Sequence, residues 1–352
     1  MRFGIAMPSG ASKRYGVLAL LLLLILAVRL VPGAGEWYAT SLYPGVSLVL
    51  SAVASIVPFS LEEWIVILAV AFLLLFPLVG AIRRMGIRTI LLREVEAVLW
   101  IVCWFYVGWG CNYFREDFYT RCEVEPVEAE KVAFQQFLAT YADSINACYP
   151  ETFTLDPSRV EQQIKTAYQK LPSAYGLCQP QTFQHPKQVS FNRLYSGVGV
   201  LGYMGPFMAE SQLNLQLRPE QYPFTYAHEL AHLLGVSHEA EANYWAYDLC
   251  TRSEDRQLRY CGYYGLLPYL INNATTLLEP EEKSAWLATL DPRILNDLRA
   301  QRQFWHEQQI GWINDIQEAV YDWYLKSNRI PSGKANYSQV VQMVLSVRAK
   351  NE

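Results

Sequence analysis

The chain has 352 residues, a formal net charge of −4 and a hydrophobic fraction of 52%. That length holds more than one domain. The mixed charge, with no basic patch interleaved with aromatics, gives no support to nucleic-acid binding. The apolar runs crowd before residue 115. They predict a membrane part over 1–115 and a globular domain over 116–352, about 230 residues and ample for one core.

Arg2, Lys13 and Arg14 precede an apolar run at 15–31, which reads as a first span. The rival reading is a cleaved signal peptide, but no small-x-small cleavage site lies near Pro32-Gly33 and more apolar runs follow. Residues 64–82 read as a second span, closed by Arg83, Arg84, Arg88 and Arg93. Residues 97–114 read as a third, with an exit rich in Trp and Tyr, as at a membrane interface. Another apolar stretch, 42–57, lies between the first two. The connection 32–63 that contains it has no Lys or Arg, whereas the start of the chain and the 83–93 loop are basic. The positive-inside rule puts both basic segments in the cytoplasm and the connection outside. A segment that begins and ends outside does not cross, so 42–57 is expected as an interfacial helix. Three spans then leave the N-terminus cytoplasmic and the globular domain outside the cytoplasmic membrane. Arg29, near the end of its span, can snorkel, so the spans offer no charged pathway for a transporter.

In the globular part, Val132, Phe134, Phe137, Leu138 and Tyr141 recur at helical spacing and predict a helix over 127–147. Asp156-Pro157-Ser158 reads as a helix start, with Val160, Ile164 and Tyr168 on one face. His185 sits in a loop beside Pro186 and reads as a bystander. Residues 189–217 mix Val, Phe, Leu and Tyr with Gly197, Gly199, Gly202 and Gly205, which predicts short strands and turns. This small edge sheet is either a plain hairpin or a strand that receives extended peptide. Pro223-Phe224-Thr225 opens the next helix, with Thr225 as its N-cap.

That helix carries His228-Glu229-Leu230-Ala231-His232, an HExxH. His228 and His232 share a helical face and can grip one zinc ion, and Glu229 lies beside the open coordination position as general base. Gly235 can end the helix in a left-handed conformation, and Ser237 can cap a second helix from 238 to about 249. A catalytic zinc site needs a third protein ligand. His238 gives a metzincin-like spacing, although no Met-turn follows. Glu239 places Asn243 on its own face, where Asn243 can bond a ligand histidine from behind. Glu241 lies on a different face. Spacing alone leaves these open.

Past the motif, Tyr260 or Tyr263 could stabilise an oxyanion, with core packing as the other reading of each. Cys250 and Cys261 are the pair to test for a disulfide; buried free thiols are the alternative. Residues 280–301 read as a solvated helical stretch, 303–326 as a packed helix, 329–334 as a turn and 337–347 as a last helix.

The chain resembles a bacterial family of uncharacterised membrane proteins, domain-of-unknown-function family 3810. The pattern is HELAH, a Gly three residues on, then Glu-x-Glu-Ala-Asn. Here it is His228–His232, Gly235 and Glu239-Ala240-Glu241-Ala242-Asn243. The likeness extends to 202–214, to Arg259-Tyr260-Cys261-Gly262-Tyr263, to Tyr324-Leu325-Lys326 and to Tyr337-Ser338-Gln339-Val340-Val341. The Glu-x-x-Ala-Asn element is similar to the third-ligand helix of gluzincin peptidases. The resemblance implies a zincin-like fold and favours Glu239 as third ligand; His238, and Cys261 in place of Ser, depart from the pattern. It implies no substrate.

The expectation is therefore a transmembrane helical bundle, three spans plus an interfacial helix, followed by a mainly α, α+β zincin-like domain with a small edge sheet. The function expected is zinc-dependent hydrolysis of a peptide or protein of the cell envelope. The alternative is a zinc-binding envelope protein without catalysis, a sensor or assembly factor, in which Glu229 would have no use.

Overall fold

The structure, a computed structural model, describes residues 9–311 and 339–351. It is mostly helical. Its apolar front begins with α1 (Ser9–Leu30). Gly33 then takes a left-handed φ of 76°. The chain turns back through α2 (Ala34–Trp37), one wide turn at Tyr38–Leu42, and α3 (Tyr43–Ala54). The axes over Ser12–Leu30 and Ala34–Ala54 differ in direction by 117°. The doubled-back helix is two-faced. Tyr38, Tyr43, Ser47, Ser51 and Ala54 are buried against the rest of the protein, while Trp37, Val49 and Val53 are exposed. It lies where the interfacial helix is expected.

α4 (Leu61–Ile82) starts on Ser60, whose hydroxyl accepts from the Glu63 amide, and carries Glu62 and Glu63 in its first turn, where the helix dipole favours them. It is long and apolar enough to cross a membrane, and almost none of its apolar stretch is covered by protein. With the bent pair counted as one span, two segments among the described residues meet that standard. α5 (Ile87–Gly108) carries Arg88, Arg93, Glu94 and Glu96 in its first half. Glu96 is buried between Arg93 and Arg14 of α1. The helix stops at Gly108 rather than running to residue 114. Residues Gly110–Phe114 form a tight turn that is wholly buried. The Trp and Tyr of this exit pack into the protein rather than line an interface.

Beyond it come α6 (Phe118–Cys122), α7 (Lys131–Cys148) and α8 (Pro157–Gln169), the last capped by Asp156. A three-stranded sheet follows, β1 (Lys187–Gln188), β2 (Gly202–Gly205) and β3 (Glu210–Leu213), in the order β1-β3-β2. β2 and β3 are antiparallel, with Gly202 opposite Leu213 and Gly205 opposite Glu210; β1 runs parallel to β3. Within the stretch expected as strands and turns, a short helix, α9 (Asn192–Gly197), intervenes.

The remaining helices are α10 (Tyr222–Leu233), α11 (Glu239–Thr251), α12 (Arg256–Leu277), α13 (Pro280–Leu287), α14 (Pro292–Gln308) and a final one at Gln339–Asn351. α11 is the hub, packed against α8, α10, α12 and the final helix. Trp245, Tyr226 and Leu230 are fully buried there. Tyr38, Tyr43, Trp109 and Phe114 of the apolar front belong to the same buried cluster. The front and the helical body share one core across the boundary expected at 115/116. The helix expected over 303–326 is interrupted: α14 ends at Gln308, where Gln309 turns to extended backbone. Its remainder beyond 311, the turn at 329–334 and Tyr337-Ser338 lie outside the described residues.

Candidate metal centre

α10 begins one turn earlier than the sequence suggests. Pro223 sits in its first turn, Gln221 precedes it, and Thr225 lies inside the helix with its amide bonded to the Gln221 carbonyl at 3.0 Å. Proline needs no N–H partner there, so the start tolerates it. Tyr226, Ala227, Leu230, Ala231 and Leu233 are buried on several sides, so the helix runs through the core.

The two histidines face each other, ring centroids 4.7 Å apart. Hydrogen bonds fix their tautomers. His228 Nδ1 lies 3.0 Å from Asn243 Oδ1, and His232 Nδ1 lies 2.7 Å from the Val236 carbonyl. Both partners are acceptors, so each Nδ1 carries the proton and each Nε2 presents a lone pair. The two Nε2 atoms are 3.1 Å apart. Glu239 Oε2 lies 3.1 Å from one and 3.6 Å from the other. Two lone pairs and a carboxylate converging on one point repel unless a proton on an Nε2 or a cation lies among them. Tetrahedral N and O ligands about 2.0–2.1 Å from a zinc ion stand about 3.3–3.4 Å apart. The observed separations bracket that edge. The group His228, His232 and Glu239 could hold a metal ion.

Its electrostatics are those of a coupled buried group. Burial alone would raise the Glu239 carboxyl, but His232 and His228 outweigh it and hold the group well below the usual range. Burial alone would lower His232, but Glu239 and Glu229 outweigh it and raise it. Glu229 is pushed up to about 7 by burial, against the pull of His228 and His232. Strand β2 passes directly over it. A Cβ added to Gly202 would stand 2.7 Å from the Glu229 side chain, so any other residue there must displace that carboxylate or the strand.

Between α10 and α11, Gly235 adopts a φ of 99° and reverses the chain. Ser237 does not cap α11; its hydroxyl donates to the Asn112 carbonyl at 3.1 Å. His238 precedes α11 in extended conformation, which places Glu239 in the first turn and Asn243 one turn further on the same face. His238 is not in the metal group; burial lowers its pKa, and the charges acting on it are chiefly Glu241 and Arg121. Glu241 is committed elsewhere. Both its oxygens accept from Arg121 Nη2, at 2.6 and 2.5 Å, and Oε1 also accepts from Trp245 Nε1. Arg121 more than offsets the effect of burial and lowers its pKa. Tyr260 lies against Tyr149 and Phe153 and stacks on Tyr264, and Tyr263 packs against Tyr141 and Tyr247. His185 is exposed and pairs with Glu161. Cys250 and Cys261 are buried free thiols.

Tyr269 is the tyrosine the sequence reading missed. Burial raises its hydroxyl pKa and the nearby Glu239 charge raises it further, with Asn243 beside it acting the other way. It follows Tyr260 by nine residues, about half a turn round the helix from it, so the two do not share a face, and nothing local to α12 says which of them meets α11.

The end of α10 is held by the apolar front. The carbonyl of His232 accepts from Trp109 Nε1 at 2.9 Å, and that of Leu233 from the Tyr43 hydroxyl at 2.7 Å. The Leu234 carbonyl accepts from the Cys178 amide, and that of Gly235 from Arg115 Nη1. Arg115 in turn grips Glu36 of α2 at 2.8 Å. The His232 carbonyl also accepts from the Gly235 amide at 3.1 Å; the other three have these partners in place of a helical one.

The molecule is thus of one class: a helical protein with an apolar front, a small sheet, and a buried His-His-Glu group able to hold a metal ion. It belongs to the family described as Protein of unknown function (DUF3810), matched over residues 38–345. The match begins inside the doubled-back helix, so it takes in α3 to α5 as well as the metal group. No curated protein and no solved structure matches the chain.

Proposed function

We propose that this chain is a membrane-anchored zinc metallopeptidase of the zincin type, with a gluzincin-like ligand set. The observation that carries the reading is the convergence of His228, His232 and Glu239 beside a buried glutamate that ligates nothing. A structural zinc site is closed by four protein ligands and has no use for such a carboxylate.

Zinc is the metal suited to two imidazoles and one carboxylate, and when bound it would polarise a peptide carbonyl and acidify water. Glu229 takes the proton of the attacking water and delivers it to the leaving amine. Asn243 and the Val236 carbonyl orient the two imidazoles. Tyr269 replaces Tyr260 and Tyr263 as the hydroxyl to donate to the developing oxyanion. Among the described residues no strand pairs with the outer edge of β2. That edge, passing over Glu229, would take the substrate main chain as an added strand.

The topology is part of the proposal. α1, α4 and α5 cross the cytoplasmic membrane, α2 and α3 lie at its outer surface, and the body over 116–352 is outside.

Metal content by mass spectrometry of the detergent-purified protein tests the site. Wild type should hold one zinc per chain, lost in His228→Ala and Glu239→Ala and retained in His238→Ala and Glu229→Gln. Glu229→Gln should also lose peptidase activity on a mixed peptide library, which a sensor or assembly role would not require. A wild-type protein that takes up no metal when zinc is supplied would sink the reading.

A further inference from the structure

The first turn of α4 is fastened to the sheet that covers the metal group. The Ser60 hydroxyl and the Glu62 amide both donate to Glu210 Oε1 of β3, at 2.7 and 2.8 Å. Glu62 Oε2 accepts from the amides of Phe207 and Met208 at the hairpin tip, 3.0 Å each. Glu63 accepts from the Ser190 amide, and Phe59 pairs with Gln188 of β1. The most apolar helix among the described residues therefore emerges from the sheet itself.

Strand β2 measures the distance from that point to the chemistry. Gly205 lies against Glu62 and Gly202 against Glu229. Three residues of strand separate them, about 10 Å. The other side of the metal group is equally close to the front, since Tyr43 of α3 bonds the last carbonyl of α10, one residue beyond His232. Apolar surface continues around this side. Trp64 of α4 packs edge-on to Phe191, centroids 6.3 Å apart, and Trp64, Phe191 and Leu194 are all exposed. On α3, Val49 and Val53 are exposed as well. An exposed apolar rim continuous with a bare apolar helix is the surface a bilayer covers.

We infer that the site takes a membrane-tethered polypeptide, fed along the outer edge of β2 from the bilayer surface and cut within the first few residues outside it. The inference rests on the metallopeptidase reading above and names the substrate class for that site. A strand laid on β2 has one end at the start of α4 and the other over Glu229. A segment anchored in the same bilayer reaches Glu229 with about three extended residues. Tethering raises its local concentration over that of any soluble peptide.

The test uses the zinc-loaded full chain in nanodiscs of phosphatidylethanolamine and phosphatidylglycerol. The probe is a tripeptide hydroxamate, which binds zinc without being cleaved. It is presented free, or on a palmitoyl chain through a flexible spacer of three or twelve residues, reaching about 10 or about 40 Å. Displacement of a fluorescent soluble hydroxamate reads its affinity. The short-spacer probe should bind at least about tenfold tighter than the free one and no weaker than the long-spacer probe, with no binding to His228→Ala. Binding by the long spacer alone, or no gain from either tether, would overturn the inference and leave the metal site standing. Binding of no hydroxamate at all would overturn the site and the inference with it. A nitroxide at Leu194→Cys gives a readout independent of metal. It should be accessible to oxygen and shielded from an aqueous nickel complex; aqueous exposure there overturns the inference.

Discussion

Gly202 has one neighbour that decides its identity. Any side chain there meets Glu229 at 2.7 Å, and strand and carboxylate cannot both stay in place. Gly202→Ala should leave the zinc content unchanged and lower peptidase activity at least about tenfold, because a general base displaced by about 1 Å loses its alignment. Parallel metal analysis and peptide-library assays check this; unchanged activity would place β2 away from the substrate. Asp248, on α11, carries a separate prediction. Burial raises its pKa from 3.8 to about 6, with Arg252 offsetting part of the effect. The folded protein then binds a proton that the unfolded chain has already released. The contribution of Asp248 to stability is therefore most favourable below about 3.8 and falls as pH rises to about 6. Asp248→Asn should raise stability at pH 7 by about 1–3 kcal/mol and flatten the pH dependence between 4 and 6, as read by denaturant unfolding at a series of pH values. The exposed Arg252 partner adds little to the account. At this scale the site was largely legible. His228, His232, Glu239 and Asn243 lie within sixteen residues; helical period pairs His228 with His232 and Glu239 with Asn243, while the choice of Glu239 over His238 came from the family resemblance. Tyr269 comes from another helix, whose phase against α11 no local pattern records.

Among the elements, α11 combines two tasks. Its first turn offers Glu239 to the metal group, and two residues on Glu241 is tied to Arg121 of α6 in a buried pair. Arg121 also donates to the carbonyls of Glu116 and Tyr175. Arg121→Ala would leave the Glu241 carboxylate buried without its cation. The expected loss is about 3–5 kcal/mol in thermal or chemical unfolding. A loss below about 1 kcal/mol would mean that water or another group replaces the guanidinium. Element starts set by local chemistry were readable: Asp156-Pro157 before α8, and Gly235 between the metal helices. Thr225 and Ser237 were misplaced as caps because each is a good cap in isolation. The Ser237 hydroxyl instead bonds the Asn112 carbonyl, a partner 125 residues away in the chain. The short helix α9 was hidden by glycines that also suit turns.

Across the whole molecule, the drop in hydropathy near residue 115 suggests an independent domain beginning there. The same aromatic stretch, Trp109 to Phe114, suits a membrane interface or a protein core, and composition does not distinguish them. In the structure these side chains are core. A chain beginning at residue 116 lacks Trp109, Tyr43 and Arg115, and exposes the apolar surface they cover. It should aggregate or lack a cooperative unfolding transition, and should bind zinc poorly beside the full-length protein in detergent. A monomeric fragment with a sharp transition and one zinc per chain would show that the front is dispensable.

The bonds at the end of α10 also set an order of events. Tyr43 and Leu233 stand 190 positions apart, and Trp109 and His232 stand 123 apart. The chain is made from its N-terminus, so the donors are complete long before the carbonyls they wait for. Contacts across so much chain form slowly. The metal pocket is therefore completed against a platform whose donors were made before it.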